Sequence, residues 1–281
     1  PTLVDAYHNQ EKTVYKDLGY VEYTDKTTKI LSFDTSVSIT AERRPSLTLG
    51  SYVTPRTMIC GQTYTFTAKL HNSDDTIKWK SSDTSVATVD KNGKVTAKGA
   101  GTVKITASAA GKAASIEVLI CYKDVTDTAD FWYEPTNYLT AAGVVKGYDK
   151  QTMFRPSNKC TRGQMVTFLW RLEGCPSPKA STCKFKDVKK SDYYFKAVIW
   201  GNENHIVEGY KDGTFGPSKV CQRKHAVTFL WRLAGSPPPK TSKKKIVAGY
   251  SDGSFRPGGT CLRRQMVTFL YKYDKYINGK G

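Results

Sequence analysis

One stretch of this chain is written three times in its second half: Cys160-Thr-Arg-Gly-Gln-Met-Val-Thr-Phe-Leu-Trp170-Arg, Cys221-Gln-Arg-Lys-His-Ala-Val-Thr-Phe-Leu-Trp231-Arg and Cys261-Leu-Arg-Arg-Gln-Met-Val-Thr-Phe-Leu-Tyr271-Lys. A chain that repeats a unit stacks its copies against one another, and it binds over a surface rather than in a single catalytic pocket. A turn precedes each copy: Gly147-Tyr148-Asp149 running to Phe154-Arg155-Pro156, then Gly209 to Pro217, then Gly249 to Pro257. Gly and Asp-Gly supply left-handed positions there, and the proline fixes the exit. After the turn, Met165, Val166, Leu169 and Leu172, and likewise Val227, Leu230 and Leu233, fall at i, i+3, i+4 spacing, which predicts a short amphipathic helix. Upstream of the first two turns lie Asp124-Val125 with Phe131-Trp132-Tyr133, and Phe185-Lys-Asp187-Val188 with Tyr193-Tyr194, each leading into another helix-like run. The unit reads as helix, glycine turn, helix.

The pattern F-x-D-V, an aromatic pair, G-[IV]-V-x-G-Y-x-D-G-T-F-x-P, T-R-x-[EQ] and V-T-F-L-W-R resembles the S-layer homology (SLH) repeat of bacterial surface proteins, over roughly residues 122 to 274. The resemblance implies a three-pronged helical arrangement of repeats. Its grooves would take anionic secondary wall polysaccharide and hold the protein non-covalently on the cell envelope, extracellular and at the cell wall. Copies are expected at 122–174, 185–235 and 242–274.

Charge agrees. Residues 122–281 carry 28 Lys and Arg against 13 Asp and Glu, net +15, whereas residues 1–121 carry 15 against 12, net +3. A field of that sign draws in polyanions. No zinc-finger spacing or RNP-type aromatic strand points to nucleic acid, and no apolar run of about 18 residues would span a bilayer. An anionic carbohydrate is the partner that is left. A guanidinium fork grips carboxylate or phosphate at two points, and an aromatic ring beside it covers the apolar face of a sugar.

The family's Thr-Arg position falls on Thr161-Arg162, Gln222-Arg223 and Leu262-Arg263, so only the first copy keeps both residues. The acidic residue usual two places later is Gln164, His225 and Gln265. The resemblance assigns polysaccharide contacts to Thr161, Arg162, Arg223 and Arg263, with Trp132, Tyr148, Tyr210, Tyr250, Asp212 and Asp252 around them. Against this stands a plainer reading in which the arginines mark solvated helix starts.

The third copy is shortened. Cys160 to Cys221 is 61 residues but Cys221 to Cys261 is 40, so about 21 residues, the F-x-D-V opening and first helix, are gone. Pro237-Pro-Pro-Lys-Thr-Ser-Lys-Lys-Lys245 stands there as a stiff basic linker. Such a loss uncovers apolar surface. Either the segment around Val14-Tyr15 and Leu18-Gly-Tyr20-Val21 or a second chain is expected to fill the gap.

From about Pro55 the chain alternates apolar and polar residues, at Thr63–Ala68, Ile77–Lys80, Val86–Val89, Lys94–Ala97, Thr102–Ala107 and Ile116–Leu119, with turn signals at Asp90-Lys-Asn-Gly93 and Lys98-Gly-Ala-Gly101. Short strands at this spacing predict a small antiparallel β-sandwich. The stretch Trp79 to Ala107 resembles the bacterial Ig-like group 2 domain, over most of residues 46–120. That resemblance implies a spacer or adhesive module, with Trp79 a core residue. The expected class is therefore multidomain α+β, an N-terminal antiparallel Ig-like sandwich followed by an all-α pseudo-threefold bundle. In residues 1–45, Tyr20–Tyr23, Lys29–Phe33 and Ser36–Ile39 read as strands of no named fold. Pro1-Thr-Leu-Val-Asp lacks the basic start and apolar core of a signal peptide, so an exported protein would be met here as a mature form or fragment.

Seven cysteines leave at least one thiol without an intrachain partner. Cys160, Cys221 and Cys261 read as one small buried apolar position used three times. A zinc site there is disfavoured because no His or second Cys stands at ligand spacing. Cys60 with Cys121, and Cys175 with Cys183, are candidate disulfides. His8, His71, His205 and His225 are scattered, with no nucleophile or metal motif, so neither catalysis nor a cofactor is expected. Two functions remain. One is a wall anchor carrying the Ig-like module. The other is an adhesin that binds a host or bacterial protein through its Ig-like or N-terminal region, with the repeats as scaffold.

Overall fold

The computed structural model describes residues 44–50, 56–238 and 246–279, with the backbone of two strands at 11–14 and 40–43. Among the described residues a β-rich region precedes a region of five helices. The strands are β1 (Glu11–Val14), β2 (Thr40–Arg43), β3 (Ser46–Leu49), β4 (Thr57–Ile59), β5 (Thr63–Thr65), β6 (Ala68–His71), β7 (Lys78–Ser81), β8 (Ala87–Val89), β9 (Lys94–Ala97), β10 (Gly101–Ala109) and β11 (Lys112–Cys121). They form sheets ordered β4-β11-β10-β7 and β5-β9-β8, with two further pairs, β3-β6 and β1-β2.

The longest pair, β10 and β11, aligns Val103 with Val118 and Ile105 with Ile116, and Ala110 and Gly111 close it with φ of 50° and 71°. Two left-handed residues give the turn whose twist suits a tight hairpin. Val103, Ile105 and Ala107 point into the core, as period-two alternation requires. Gly93 has φ +79°, and a Cβ there would stand 2.3 Å from the Phe66 carbonyl oxygen and 2.9 Å from the Trp79 ring. Trp79 thus packs half-buried over a turn that only glycine fits. One expectation needs correction: β4 runs parallel to β11, with Leu119 opposite Thr57 and Cys121 opposite Ile59. Alternation marks a strand's faces but not its direction, so this edge was not legible as parallel.

The helices are α1 (Tyr133–Ala141), α2 (Arg162–Leu172), α3 (Phe195–Glu203), α4 (Arg223–Leu233) and α5 (Arg263–Tyr276). α3 packs on α2, and α1 packs on α5. One apolar core runs from Met58, Val103 and Ile120 through Tyr122 and Leu139 to Met165 and Met266. The joint between the two regions is polar as well. Asp149, Lys150 and Gln151 hold φ of 51°, 55° and 67°, and the Gln151 carbonyl accepts from Ala100 N at 2.8 Å and Cys60 Sγ at 3.7 Å. Gln151 Oε1 accepts from Gly147 N at 2.7 Å and Tyr122 Oη at 3.3 Å. The strands expected at Tyr20–Tyr23, Lys29–Phe33 and Ser36–Ile39 lie outside the described residues, as does the proposed filler at Tyr15–Val21. Val14 belongs to β1 and pairs with Thr40.

Candidate functional site

Three short stretches, each ending at a repeat cysteine, meet. Cys221 N donates to Cys160 O at 2.8 Å, Cys261 N to Cys221 O at 3.0 Å, and Cys160 N to Cys261 O at 2.9 Å, so the bonds run from copy to copy and close on themselves. All three cysteines are fully buried. Burial pushes the Cys221 and Cys261 thiols up to about 12 and the Cys160 thiol well above its ordinary value. Among the described residues no group of three His, Cys, Asp or Glu is arranged to hold a metal ion.

One residue beyond each helix cap stands the arginine. Arg162, Arg223 and Arg263 are 4%, 2% and 1% exposed, so they are not solvated helix starts. Arg162 reaches into the turn of the second copy, donating from Nε to Phe215 O at 3.0 Å and from Nη2 to Glu208 O at 2.8 Å. Arg223 does the same in the third copy, to Phe255 O at 2.9 Å and Ala248 O at 2.7 Å. Arg263 returns to the first, to Phe154 O at 2.8 Å and Lys146 O at 2.9 Å. Each guanidinium is ringed by aromatics, Arg162 by Tyr210, Phe215 and Phe229, Arg223 by Tyr250, Phe255 and Phe269, Arg263 by Tyr148, Phe154 and Phe168, at 4.5 to 5.6 Å. A cation so placed is satisfied by carbonyl dipoles and ring faces. Burial lowers the pKa of Arg162, which stays charged.

The departures from the family motif have a local explanation. Thr161 and Gln164 form a reciprocal cap: Gln164 N donates to Thr161 Oγ1 at 3.2 Å and Thr161 N to Gln164 Oε1 at 3.1 Å. In the other copies Gln222 N donates to His225 Nδ1 at 3.4 Å and Leu262 N to Gln265 Oε1 at 3.0 Å. The position that usually holds an acid is thus the acceptor that caps a helix, a task that Gln or neutral His performs. Asp124 and Asp187 of the F-x-D-V openings each accept two backbone N–H groups of the following turn, at Phe154 and Arg155 and at Phe215 and Gly216. Asp212 and Asp252 accept from both the backbone N and the hydroxyl of Thr214 and Ser254, bonds that lower their pKa.

What faces solvent is aromatic and basic. Tyr210, 37% exposed, lies between the Arg162 guanidinium and Lys219 Nζ, which stands 3.9 Å from its ring centre. With Gln222, Lys224, His225 and Thr260 it lines a groove of about 430 Å³. Tyr148 is half-buried and its hydroxyl accepts from Gln164 Nε2 at 2.7 Å, while Tyr250 sits beneath Arg256 at 4.3 Å. Trp132 lies under Arg264 at 5.4 Å, and its buried Nε1 has no partner. The burial of the arginines and the groove lysines are what sequence reasoning missed. Lys219 and Lys224 fall where the first copy has Asn158 and Gly163, and that difference between copies was the available signal.

All seven cysteines are unbridged; Cys60 N donates to Cys121 O at 2.9 Å, which makes those two neighbours, while Cys175 is exposed and Cys183 half-buried. No helix among the described residues is long and apolar enough to cross a membrane.

The family model described as S-layer homology domain matches residues 122–166, 184–226 and 240–267. The chain is an SLH surface protein. Ahead of its SLH copies, residues 63–111 match the model described as Intimin, immunoglobulin-like domain, so the module is Ig-like. The curated relatives include a cellulosome-anchoring protein of Acetivibrio thermocellus, 32% identical over 33% of this chain and 21% of that protein. A surface-layer 125 kDa protein of Lysinibacillus sphaericus is 28% identical over 38% of this chain and 9% of its own length. A lacto-N-biosidase of Bifidobacterium bifidum is 48% identical over 21% of this chain and 6% of its own. This SLH protein therefore spans about a fifth or less of each. The SLH repeats and the first two relatives make it a cell-surface protein.

Proposed function

We propose that the three copies close as a pseudo-threefold bundle whose grooves hold anionic secondary wall polysaccharide, anchoring the chain on the envelope without catalysis, while the Ig-like domain serves as spacer or adhesive module. The observation that carries this reading is the groove of the second copy, an open cavity lined by Lys219, Lys224, His225 and the edge of Tyr210, whose ring is flanked by two cations. Such a groove matches a sugar ring bearing a carboxylate or phosphate. Tyr148, Tyr250 and Trp132 serve as ring platforms at the other two copies, Thr161 caps α2, and Arg162, Arg223 and Arg263 hold the turns and lend positive potential from beneath. Asp212 and Asp252 act by shaping their turns. The closed run of cysteine and arginine bonds supports the bundle.

Because the arginines hold the fold, the test belongs on the lysines. The full chain is sedimented with bacterial sacculi, native or stripped of secondary polymer, against Lys219→Ala/Lys224→Ala. The expected result is polymer-dependent binding that weakens at least tenfold in the variant and falls steeply with salt. Absence of binding at low salt would overturn it and favour a protein partner on the Ig-like domain, a reading supported by the intimin description of residues 63–111.

A further inference from the structure

Val-Thr-Phe-Leu-Trp-Arg-Leu stands twice in this chain, at 166–172 in α2 and at 227–233 in α4. Identical residues meet different surroundings. Val166 and Thr167 are 0% and 1% exposed and Trp170 is half-buried, whereas Val227 and Thr228 are half-buried and Trp231 is 47% exposed. The reason is the neighbouring helix. α3 covers α2 and α1 covers α5, but among the described residues no helix takes that place on α4, where the shortened third copy has lost its own.

The same loss opens the groove. Where the first copy has Gly163, Tyr194 at the start of α3 stands so close that an added Cβ would be 3.0 Å from its ring. In the third copy, Arg264 is stacked on Trp132 at the start of α1. Among the described residues the second copy has no such aromatic wall, and Lys224 at the matching position is exposed. Lys224, Thr228 and Trp231 follow at i, i+4 and i+7, one face of the helix and about 10 Å along it.

We propose that this face extends the groove, so that an acidic glycan held at Lys219 and Lys224 continues along α4 and lays a sugar on Trp231. The proposal rests on the wall-polysaccharide reading and deepens it. Charge complementarity selects this occupant. The track starts at two lysines, and Arg232, next to Trp231, stands 3.2 Å from Glu208. Trp231 is set as a platform: Nε1 donates to Pro237 O at 2.9 Å, which fixes the indole while its surface stays exposed. An indole held in place gives up little freedom on binding.

The test sediments the full chain with sacculi that carry secondary polymer and with stripped sacculi, comparing wild type, Trp231→Ala and Trp231→Phe, with light scattering for mass. The expected result is affinity about tenfold weaker for Trp231→Ala and near wild type for Trp231→Phe, at unchanged Tm and monomeric mass. Equal binding by Trp231→Ala would overturn the extension while the groove stands. No binding by wild type would remove both readings. A dimer abolished by Trp231→Ala would assign the face to a second copy and overturn the proposal.

Discussion

At the scale of single residues, the arginines are fasteners. Removing the Arg263 side chain strands two carbonyls, Phe154 O and Lys146 O, inside the protein. Arg263→Ala is expected to cost about 2–5 kcal/mol by urea denaturation, with Arg263→Lys recovering little because an ammonium cannot span both acceptors. A cost below about 1 kcal/mol would mean that water reaches those carbonyls. His225 carries a pH dependence. Burial first, then Arg162 and Lys224, lower its pKa, so the folded state prefers the neutral ring, whose Nδ1 accepts from Gln222 N. As pH falls through the unfolded value of about 6.5, the unfolded chain takes up the proton first and stability drops. His225→Gln, the residue of the other two copies, is expected to flatten the fall of Tm between about pH 7 and 5; an unchanged slope would acquit the histidine.

Elements show how far sequence carries and where it stops. The second helix was legible in the first two copies because its apolar spacing is local, and in the third because the same motif recurs there. The arginines were not, since nothing in Thr161-Arg162 says that a carbonyl 46 residues away will accept from that guanidinium. Nor does alternation reveal that β4 runs parallel to β11, or that β3 and β6 pair as a ribbon apart from the other sheets. The sequence did reveal the missing helix of the third copy, and its consequence is measurable on identical residues. Val166→Ala is expected to cost about 2 kcal/mol and Val227→Ala less than half of that, in parallel urea melts. Equal costs would mean that α4 is covered in solution. Grafting residues 185–208 ahead of Ile246 supplies a helix for the open face, and calorimetry should then register a higher Tm.

For the whole molecule, the bonds of Ala100 N and Cys60 Sγ to Gln151 O and the shared core tie the Ig-like domain to the repeats, which predicts that they unfold together. A single calorimetric transition is expected. Gln151→Ala, which takes an acceptor from Gly147 N and Tyr122 Oη, should lower its midpoint by a few degrees, about 2–4 °C for each kcal/mol at this size. Two separate transitions in the wild type would refute that coupling. The cysteine ring bears on a different property, the response to force. Tension arriving through the Ig-like domain enters the first copy, which is bonded directly to both the second and the third. The load divides between two junctions in parallel, so no terminal copy can be peeled away alone, as the end of an open row of repeats can be.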